Sequence, residues 1–189
     1  KAKDESINFN DIKILTQTIS KQVDDIGKLV DEFSSFARMP EAEIKLDNLS
    51  QTLKESFDLF ANSHPKINMK LLSKSKDIYY QFDRFQISQA FNNMIKNAVE
   101  AVINIPNPSI SVDLFEYNHQ IKFIVKDNGI GIDENKISKY FEPYFTTKDK
   151  GTGLGLSIVK KIIEDHGGFI KIEKNINMAG TTTVVTFDI

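Results

Sequence analysis

The chain has 189 residues, of which 40% are hydrophobic and 26% charged, and this composition is typical of a globular protein with a core. Its formal net charge of −2 gives no electrostatic reason to bind nucleic acid or an anionic membrane surface. The lack of cysteine excludes disulfides and thiolate metal sites, and no apolar run reaches the roughly eighteen residues of a membrane-spanning helix. We therefore expect no nucleic-acid partner, no direct membrane contact and a reducing compartment.

The first predicted element is one long helix from about Asn10 to Arg38, which Pro40 ends. Apolar side chains recur along it every seven residues, and others follow four residues later, as in a heptad repeat. This narrow stripe favours packing against other helices in a bundle; the alternative is a helix that lies on its own domain. The residues of the stripe are Ile12, Ile19, Val23, Ile26, Val30 and Phe33.

Hydrophobic periodicity and turn residues predict the elements that follow. Asp47 or Asn48 can cap the second helix, and Asp83 the third. Helices interleaved with antiparallel strands indicate an α+β fold, a two-layer sandwich in which helices cover one face of a mixed sheet. In chain order we expect helices at about 49–61, 84–104 and 153–166, and strands at 67–71, 78–82, 110–114, 121–125, 169–173 and 181–188, the third and fourth strands forming a hairpin.

The third predicted helix carries a polar stripe, since Asn93, Lys96, Asn97 and Glu100 fall within an arc of about 100°. Such a stripe can be a solvated outer face, but asparagine is a poor helix former and a solvated face does not need it. Amide oxygens are hard ligands that suit Mg²⁺, and an ammonium group beside them would meet a phosphate. The stripe therefore favours a phosphate and metal site.

Three segments that follow predict the rest of a nucleotide site. Lys126–Gly131 ends a strand with an acid and a flexible turn, Phe141–Lys148 is aromatic and basic, and Gly151–Leu156 opens a helix. A glycine-rich loop at a helix N-terminus is suited to bind phosphate. In this order the segments indicate an acid at the base of a pocket, a flap and a phosphate-binding loop.

These residues resemble the catalytic ATP-binding domain of sensor histidine kinases, in the superfamily that also contains gyrase, heat-shock-90 chaperones and mismatch-repair ATPases. Asn93–Ala101 resembles the N box, Asp127–Gly131 the first glycine box, Phe141–Phe145 the F box and Gly151–Leu156 the second glycine box. Four motifs in the family's order make the resemblance specific. It implies ATP and Mg²⁺ as cofactors.

The end of the first helix, Val30–Pro40, resembles the second dimerisation helix of NtrY-like nitrogen-regulation sensor kinases. The resemblance therefore divides the chain into a partial dimerisation and phosphotransfer region at 1–39, a linker at 40–45 and a catalytic domain at 46–189. It implies a homodimer formed through this helix in the full protein. The implied location is cytoplasmic, either for the whole protein or for part of an inner-membrane sensor.

The resemblance assigns the adenine end of the site to the first glycine box. Asp127 would accept a hydrogen bond from the adenine amino group, and Gly129 and Gly131 would let the backbone approach the base. Thr181 or Thr182 would also touch adenine. These residues would make the site selective for ATP.

The phosphate end follows from the other motifs. Asn97 would bind Mg²⁺ directly, Asn93 and Lys96 would face the phosphates, and Lys148 would reach them from a lid at about 141–152. Glycine N–H groups of the second glycine box would also contact the phosphates. The members of that box are Gly151, Thr152, Gly153, Leu154, Gly155 and Leu156.

Asn93 also bears on the reaction, because ATPases of the superfamily carry glutamate there as the general base for water. An amide cannot take a proton, so ATP should remain intact until a histidine attacks it. His64, His119 and His166 lie in turns or at helix ends, so the acceptor histidine should lie upstream and this chain should hold no catalytic residue. We expect it to bind ATP without phosphorylating itself.

The predicted function is therefore that of the ATP-binding part of a two-component sensor histidine kinase, which passes the γ-phosphoryl group to histidine and then to the receiver domain of a response regulator. One alternative is a serine/threonine kinase of the same superfamily, of the anti-sigma-factor type. Another is a non-catalytic dimerisation module.

Overall fold

The computed structural model describes residues 8–73, 77–148, 151–176 and 178–189. The chain divides into two compact units, Lys1–Pro40 and Glu41–Ile189. Among the described residues, no helix is both long enough and apolar enough to cross a bilayer.

The first unit contains helix α1, Phe9–Ala37, close to the predicted bounds. The side chain of Asn8 caps it by accepting a hydrogen bond from the N–H of Asn10. Along the heptad stripe, Ile12, Ile19 and Ile26 are 50%, 60% and 62% exposed in this single chain. The stripe is therefore open to solvent.

The described residues of the second unit form three further α-helices, a 3-10 helix and seven strands. The α-helices and strands are β1 (Lys45–Asn48), α2 (Leu49–Ser63), β2 (Asn68–Leu71), β3 (Tyr79–Phe82), α3 (Arg84–Val102), β4 (Ser109–Tyr117), β5 (Gln120–Asp127), α4 (Gly155–Asp165), β6 (Phe169–Lys174) and β7 (Thr181–Asp188). The main sheet has the order β2-β4-β5-β7-β6, in which β2 pairs parallel to β4 and the other pairs are antiparallel.

The core lies between this sheet and the helices. Alternate residues of β4 and β5 are buried, so one face of the sheet carries the core, and α3 packs against it. The rings of Phe91 on α3 and Phe123 on β5 lie 4.3 Å apart between centroids. The predicted α+β fold, a mixed sheet with helices on one face, is thus confirmed.

The predicted hairpin is also confirmed, and it sets the position of Asp127. Asn118 and His119 form the turn between β4 and β5 with φ of 50° and 59°, as a two-residue hairpin turn requires. The register then places Asp127 opposite Ile110, at the end of β5 and next to the start of β7. The sheet thus brings Asp127 beside Thr181.

Two features differ from the sequence prediction. The segment assigned to the linker runs into β1, a four-residue strand that pairs with β3 in a separate two-stranded sheet. β2 and β3, predicted as successive strands, therefore belong to different sheets. Also, a 3-10 helix at Glu134–Phe141 joins the first glycine box to the F box, capped by Asp133. A strand as short as β1 depends on its long-range pairing with β3 and carries little signal of its own.

Candidate nucleotide-binding site

Asp127 lies at the end of β5 and is buried. Its Oδ1 accepts two backbone hydrogen bonds, from Gly129 N–H at 2.8 Å and Thr181 N–H at 3.3 Å. Burial raises the pKa of this carboxyl, although both backbone N–H groups and the positive charge of Lys148 act in the opposite direction. Oδ2 accepts no hydrogen bond from the described residues.

The first glycine box is held tightly between α3 and the turn that connects β6 to β7. A Cβ on Gly129 would lie 2.5 Å from the carbonyl oxygen of Ala101, and one on Gly180 would lie 2.0 Å from that of Asp127. The N–H of Ile130 also donates to the Ala101 carbonyl, at 3.3 Å. Gly129 is therefore needed for packing against α3. Its contact with a bound adenine stays a prediction.

The polar stripe of α3 meets the lid. Asn93 and Asn97 are partly buried, and Lys96 is exposed. The ammonium of Lys148 donates to Asn97 Oδ1 at 3.4 Å and pairs with Glu100 Oε2 at 2.5 Å. Glu100 was absent from the predicted ligand set, although it lies three residues after Asn97 on the same stripe.

The N-terminus of α4 faces the same two asparagines. A Cβ on Gly155 would lie 3.7 Å from Asn97 Nδ2 and 4.0 Å from Asn93 Oδ1. No side chain caps α4 in the described part of the chain, so its first N–H groups are available to an anion. Leu154 is fully buried and Leu156 partly buried, so these side chains fix the start of the helix.

The lid is attached to the second glycine box. Tyr144 has a φ of +67°, which is uncommon for a bulky residue, and its N–H donates to the carbonyl of Gly153 at 3.1 Å. The hydroxyl of Thr152 accepts from the N–H of Leu154 at 3.4 Å, and a Cβ on Gly151 would lie 2.4 Å from Thr146 Oγ1. Residues 149–150 of the predicted lid lie outside the described residues.

The two threonines of β7 have different surroundings. Thr181 is buried and its N–H contacts Asp127, whereas the hydroxyl of Thr182 donates to Asn175 Oδ1 at 2.7 Å. Asn175 in turn donates to the carbonyl of Asp127 at 2.7 Å. Sequence reasoning missed Asn175, because nothing local distinguishes it from an ordinary turn asparagine.

The structure therefore brings most of the predicted residues together. Asp127, Gly131 and Thr181 lie at one end, where a Cβ on Gly131 would lie 3.6 Å from the carbonyl of Gly180. Asn93, Asn97, Lys148 and Gly155 meet at the other end. Within the described ranges, no residue makes a hydrogen bond or ion pair with the ammonium of Lys96.

Residues 82–189 match the family described as histidine kinase-, DNA gyrase B-, and HSP90-like ATPase. The chain is 39% identical over 162 residues to nitrogen regulation protein NtrY of Azorhizobium caulinodans, covering 83% of this chain and 21% of that protein. It is 33% identical over 171 residues to a putative sensor histidine kinase, NtrY-like, of Rickettsia conorii, covering 90% of this chain and 28% of that protein. The chain thus spans less than a third of the length of these relatives.

Two solved structures are similar. The catalytic domain of histidine kinase ThkA has a TM-score of 0.70 and 33% identity, covering 77% of this chain and 95% of that chain. Histidine kinase ThkA in complex with response regulator protein TrrA has a TM-score of 0.74 and 26% identity. The match covers 100% of this chain and 53% of that chain. With a family match over more than half of its length, the chain belongs to the histidine kinase-, DNA gyrase B- and HSP90-like ATPase family, and its second unit is an ATP-binding catalytic domain of the sensor histidine kinase type.

Proposed function

We propose that this chain binds ATP with Mg²⁺ and, in the full protein, delivers the γ-phosphoryl group to a histidine. The observation that carries the proposal is the uncapped N-terminus of α4, which faces the amides of Asn93 and Asn97. An anion placed there would contact helix N–H groups and lie beside hard oxygen ligands. Asp127, at the other end of the site, would then select the base.

The proposal assigns adenine to Asp127. Its Oδ1 is occupied by two backbone N–H groups, while Oδ2 accepts nothing from the described residues. An ionised Oδ2 would accept a hydrogen bond from the exocyclic amino group of adenine. Guanine carries a carbonyl oxygen at that position, which would oppose the carboxylate, so the site should prefer ATP over GTP.

Lys148 would change partners when the nucleotide binds. In the structure its ammonium contacts Glu100 and Asn97, and both side chains of the ion pair with Glu100 are more than a third exposed. A partly exposed pair is worth about 0–1 kcal/mol, so a triphosphate can compete for the lysine. Lys148 would then neutralise the terminal phosphates.

The same contacts agree with a cation site. The pocket beside Asn97 already attracts a positive group, the Lys148 ammonium, and amide and carboxylate oxygens are ligands that suit Mg²⁺. We propose that Asn97 holds the metal. When bound, Mg²⁺ would neutralise phosphate charge.

The reaction that this arrangement favours is transfer rather than hydrolysis. Asn93 presents an amide, which cannot deprotonate water, so the chain's residues would bind and orient ATP without consuming it. An imidazole nitrogen of the acceptor histidine would attack the γ-phosphorus. The bond to the β–γ bridging oxygen would break and ADP would leave.

The wider context is proposed from the relatives. The complex of ThkA with a response regulator supports a receiver domain as the next acceptor. The exposed heptad stripe of α1 supports a homodimer, with 1–39 as part of the dimerisation region, 40–45 as linker and 46–189 as catalytic domain. Because it would use ATP and a response regulator, we place the chain in the cytoplasm.

Trans-phosphorylation tests this function. Labelled ATP is added to this chain and to a separate polypeptide that carries the upstream histidine helix of the same protein. We expect label on that polypeptide that is lost in acid, and none with Asn97→Ala, while Gln17→Ala on α1 serves as the control that keeps transfer. Acid-stable label would indicate a serine/threonine kinase, and failure to bind ATP with Mg²⁺ would leave a non-catalytic module.

A further inference from the structure

Asn175 is a buried amide directly after β6, outside the four motifs that define the site. Its Nδ2 donates to the carbonyl of Asp127 at 2.7 Å and to that of Ala179 at 3.1 Å. Its Oδ1 accepts from the hydroxyl of Thr182 at 2.7 Å. The side chain thus uses both amide protons and its oxygen, and one of these bonds crosses to the residue proposed to bind adenine.

Asp127 is held from two sides at once. Its carboxyl oxygen Oδ1 accepts from Gly129 and Thr181, and its carbonyl oxygen accepts from Asn175. Gly180, with a φ of +108°, packs directly on the same peptide, since a Cβ there would lie 2.0 Å from the Asp127 carbonyl oxygen. The peptide plane of Asp127 therefore cannot rotate without breaking its bond to Asn175.

Asn175 can act on the Asp127 carboxyl group through the turn between β6 and β7. Its bond to the Asp127 carbonyl fixes the end of β5 against this turn. Asn175 also fixes the turn through the Ala179 carbonyl and its own N–H, which donates to the Gly180 carbonyl at 3.1 Å. Thr181, which donates to Asp127 Oδ1, follows immediately.

We propose that Asn175 is a positioning residue for base selection: it orients Asp127 Oδ2 toward the exocyclic amino group of a bound adenine. This inference rests on the proposed ATP site. It predicts that Asn175 affects recognition of one functional group on the base. A role limited to closing the β6–β7 turn would instead affect stability and all nucleotides equally.

The test compares ATP with purine riboside triphosphate, which lacks the amino group, in the full chain with Mg²⁺. A hydrogen bond to a charged group should make the native chain bind ATP on the order of tenfold more tightly than the analogue. Asn175→Ala should reduce that ratio to within about twofold by weakening ATP binding while the analogue binds as before. Asn175→Asp keeps the size and Oδ1 but places a carboxylate oxygen against the carbonyls of Asp127 and Ala179, so it should lower the ratio at least as far.

A stability control makes the result specific. Asn48→Ala removes the N-cap of α2, whose Oδ1 accepts from Gln51 N–H at 2.9 Å, so it should lower stability and leave the nucleotide ratio unchanged. Circular dichroism and thermal unfolding establish that each variant is folded.

The outcomes separate this inference from the proposed function. If the native chain binds both nucleotides equally, the adenine role of Asp127 is wrong and the inference falls with it. If the native chain discriminates and folded Asn175 variants discriminate equally well, Asn175 has no positioning role while the ATP site stands. If Asn48→Ala lowered the ratio of ATP affinity to analogue affinity as much as Asn175→Ala does, the inference would also be overturned, because the change in ratio would then follow from lower stability.

Discussion

The carboxyl group of Asp127 is buried, and its two oxygens have different surroundings: backbone N–H groups contact Oδ1, and no described residue donates to Oδ2. Burial raises the pKa of this group, which means that its ionised form is less favourable in the folded chain than in the unfolded chain. A binding site often keeps such a cost because the ligand relieves it. The Asp127 carboxylate should therefore lower the stability of the fold and make the site specific for adenine.

Asp127→Asn should stabilise the nucleotide-free chain at neutral pH and abolish ATP binding. A raised folded-state pKa stabilises the fold below the ordinary carboxyl pKa, and this contribution is lost as the pH rises through the raised value. Asparagine avoids the buried charge and keeps an oxygen for Gly129 and Thr181. Thermal unfolding of both proteins across pH, with ATP titrations, measures the effect.

The advantage of the variant should shrink as the pH falls toward about 4, where the native carboxyl is protonated. An equal or lower stability of Asp127→Asn at pH 8 would contradict the burial argument. Unchanged ATP affinity would contradict the adenine assignment. Asp58→Asn, on the partly exposed side of α2, is the matched control and should change neither property.

Two glycines near the start of α4 have different roles: the fold requires Gly153, whereas a bound ligand would require Gly155. Gly153 has a φ of +71° and its Cβ would lie 2.5 Å from the carbonyl carbon of Tyr144, so the lid attachment requires glycine. Gly155 has no such constraint, because a Cβ there would make only ordinary contacts with Asn97 and Asn93. Because Gly155 has no side chain, there is room for a ligand beside the N–H groups at the start of α4.

Gly155→Ala should therefore preserve the fold and weaken ATP binding, since the added methyl group lies between α4 and the α3 amides. Thermal unfolding without nucleotide and ATP titration with Mg²⁺ measure the two effects. Gly27→Ala on α1, where a Cβ meets nothing within 4 Å, is the control and should leave affinity unchanged. Native affinity in Gly155→Ala would mean that the phosphates bind elsewhere.

The two helices that form the phosphate end are also joined at their far ends. His166 follows α4, and its Nε2 accepts from the N–H of Asp83, the N-cap of α3, at 3.0 Å. Its Nδ1 lies 2.7 Å from the carbonyl of Ile162 and so carries the proton in this arrangement. The histidine thereby connects α4 to the helix that carries Asn93 and Asn97.

His166→Phe should lower the free energy of unfolding by about 1–3 kcal/mol, because the partly buried N–H of Asp83 loses its acceptor and the buried Ile162 carbonyl loses one of its donors, while ring volume is kept. Chemical denaturation measures it. His119→Asn changes an exposed turn histidine whose φ of +59° asparagine also tolerates, so its effect should stay within about 0.5 kcal/mol. A native stability of His166→Phe would show that neither contact matters.

In the whole molecule, the two units differ in how they bury apolar surface. The second unit has its own core between sheet and helices, whereas α1 exposes its heptad stripe. A chain of residues 41–189 should therefore fold, bind ATP with the affinity of the full chain and remain monomeric. The full chain should self-associate through α1, which sedimentation velocity at several concentrations measures.

Ile19→Asp places a charge in the stripe and should prevent this association, whereas Gln17→Asp on the outer side of the same helix should permit it. Association of residues 41–189 alone would place the interface in the second unit. Monomeric behaviour of the full chain at all concentrations would mean that α1 requires a further helix to pair.

The sequence was sufficient for features that depend on neighbours along the chain. The long helices, the cap at Asp83 and the β4–β5 hairpin follow from periodicity and turn residues, and the structure has them. For α2 the sequence offered Asp47 or Asn48 as the cap, and the structure has Asn48. The stripe of α3 and the glycine-rich segments likewise indicated a nucleotide site, because helical spacing and backbone freedom are local properties. Their order along the chain carried the family resemblance.

Contacts between distant parts of the chain required the tertiary structure. The separation of β2 from β3 depends on which strands pair, and β1 exists because β3 lies beside it. The pair of Lys148 with Glu100 and the bond from Asn175 to Asp127 each join residues 48 positions apart. Such contacts depend on where the packed core places each backbone segment, and no local pattern encodes that position.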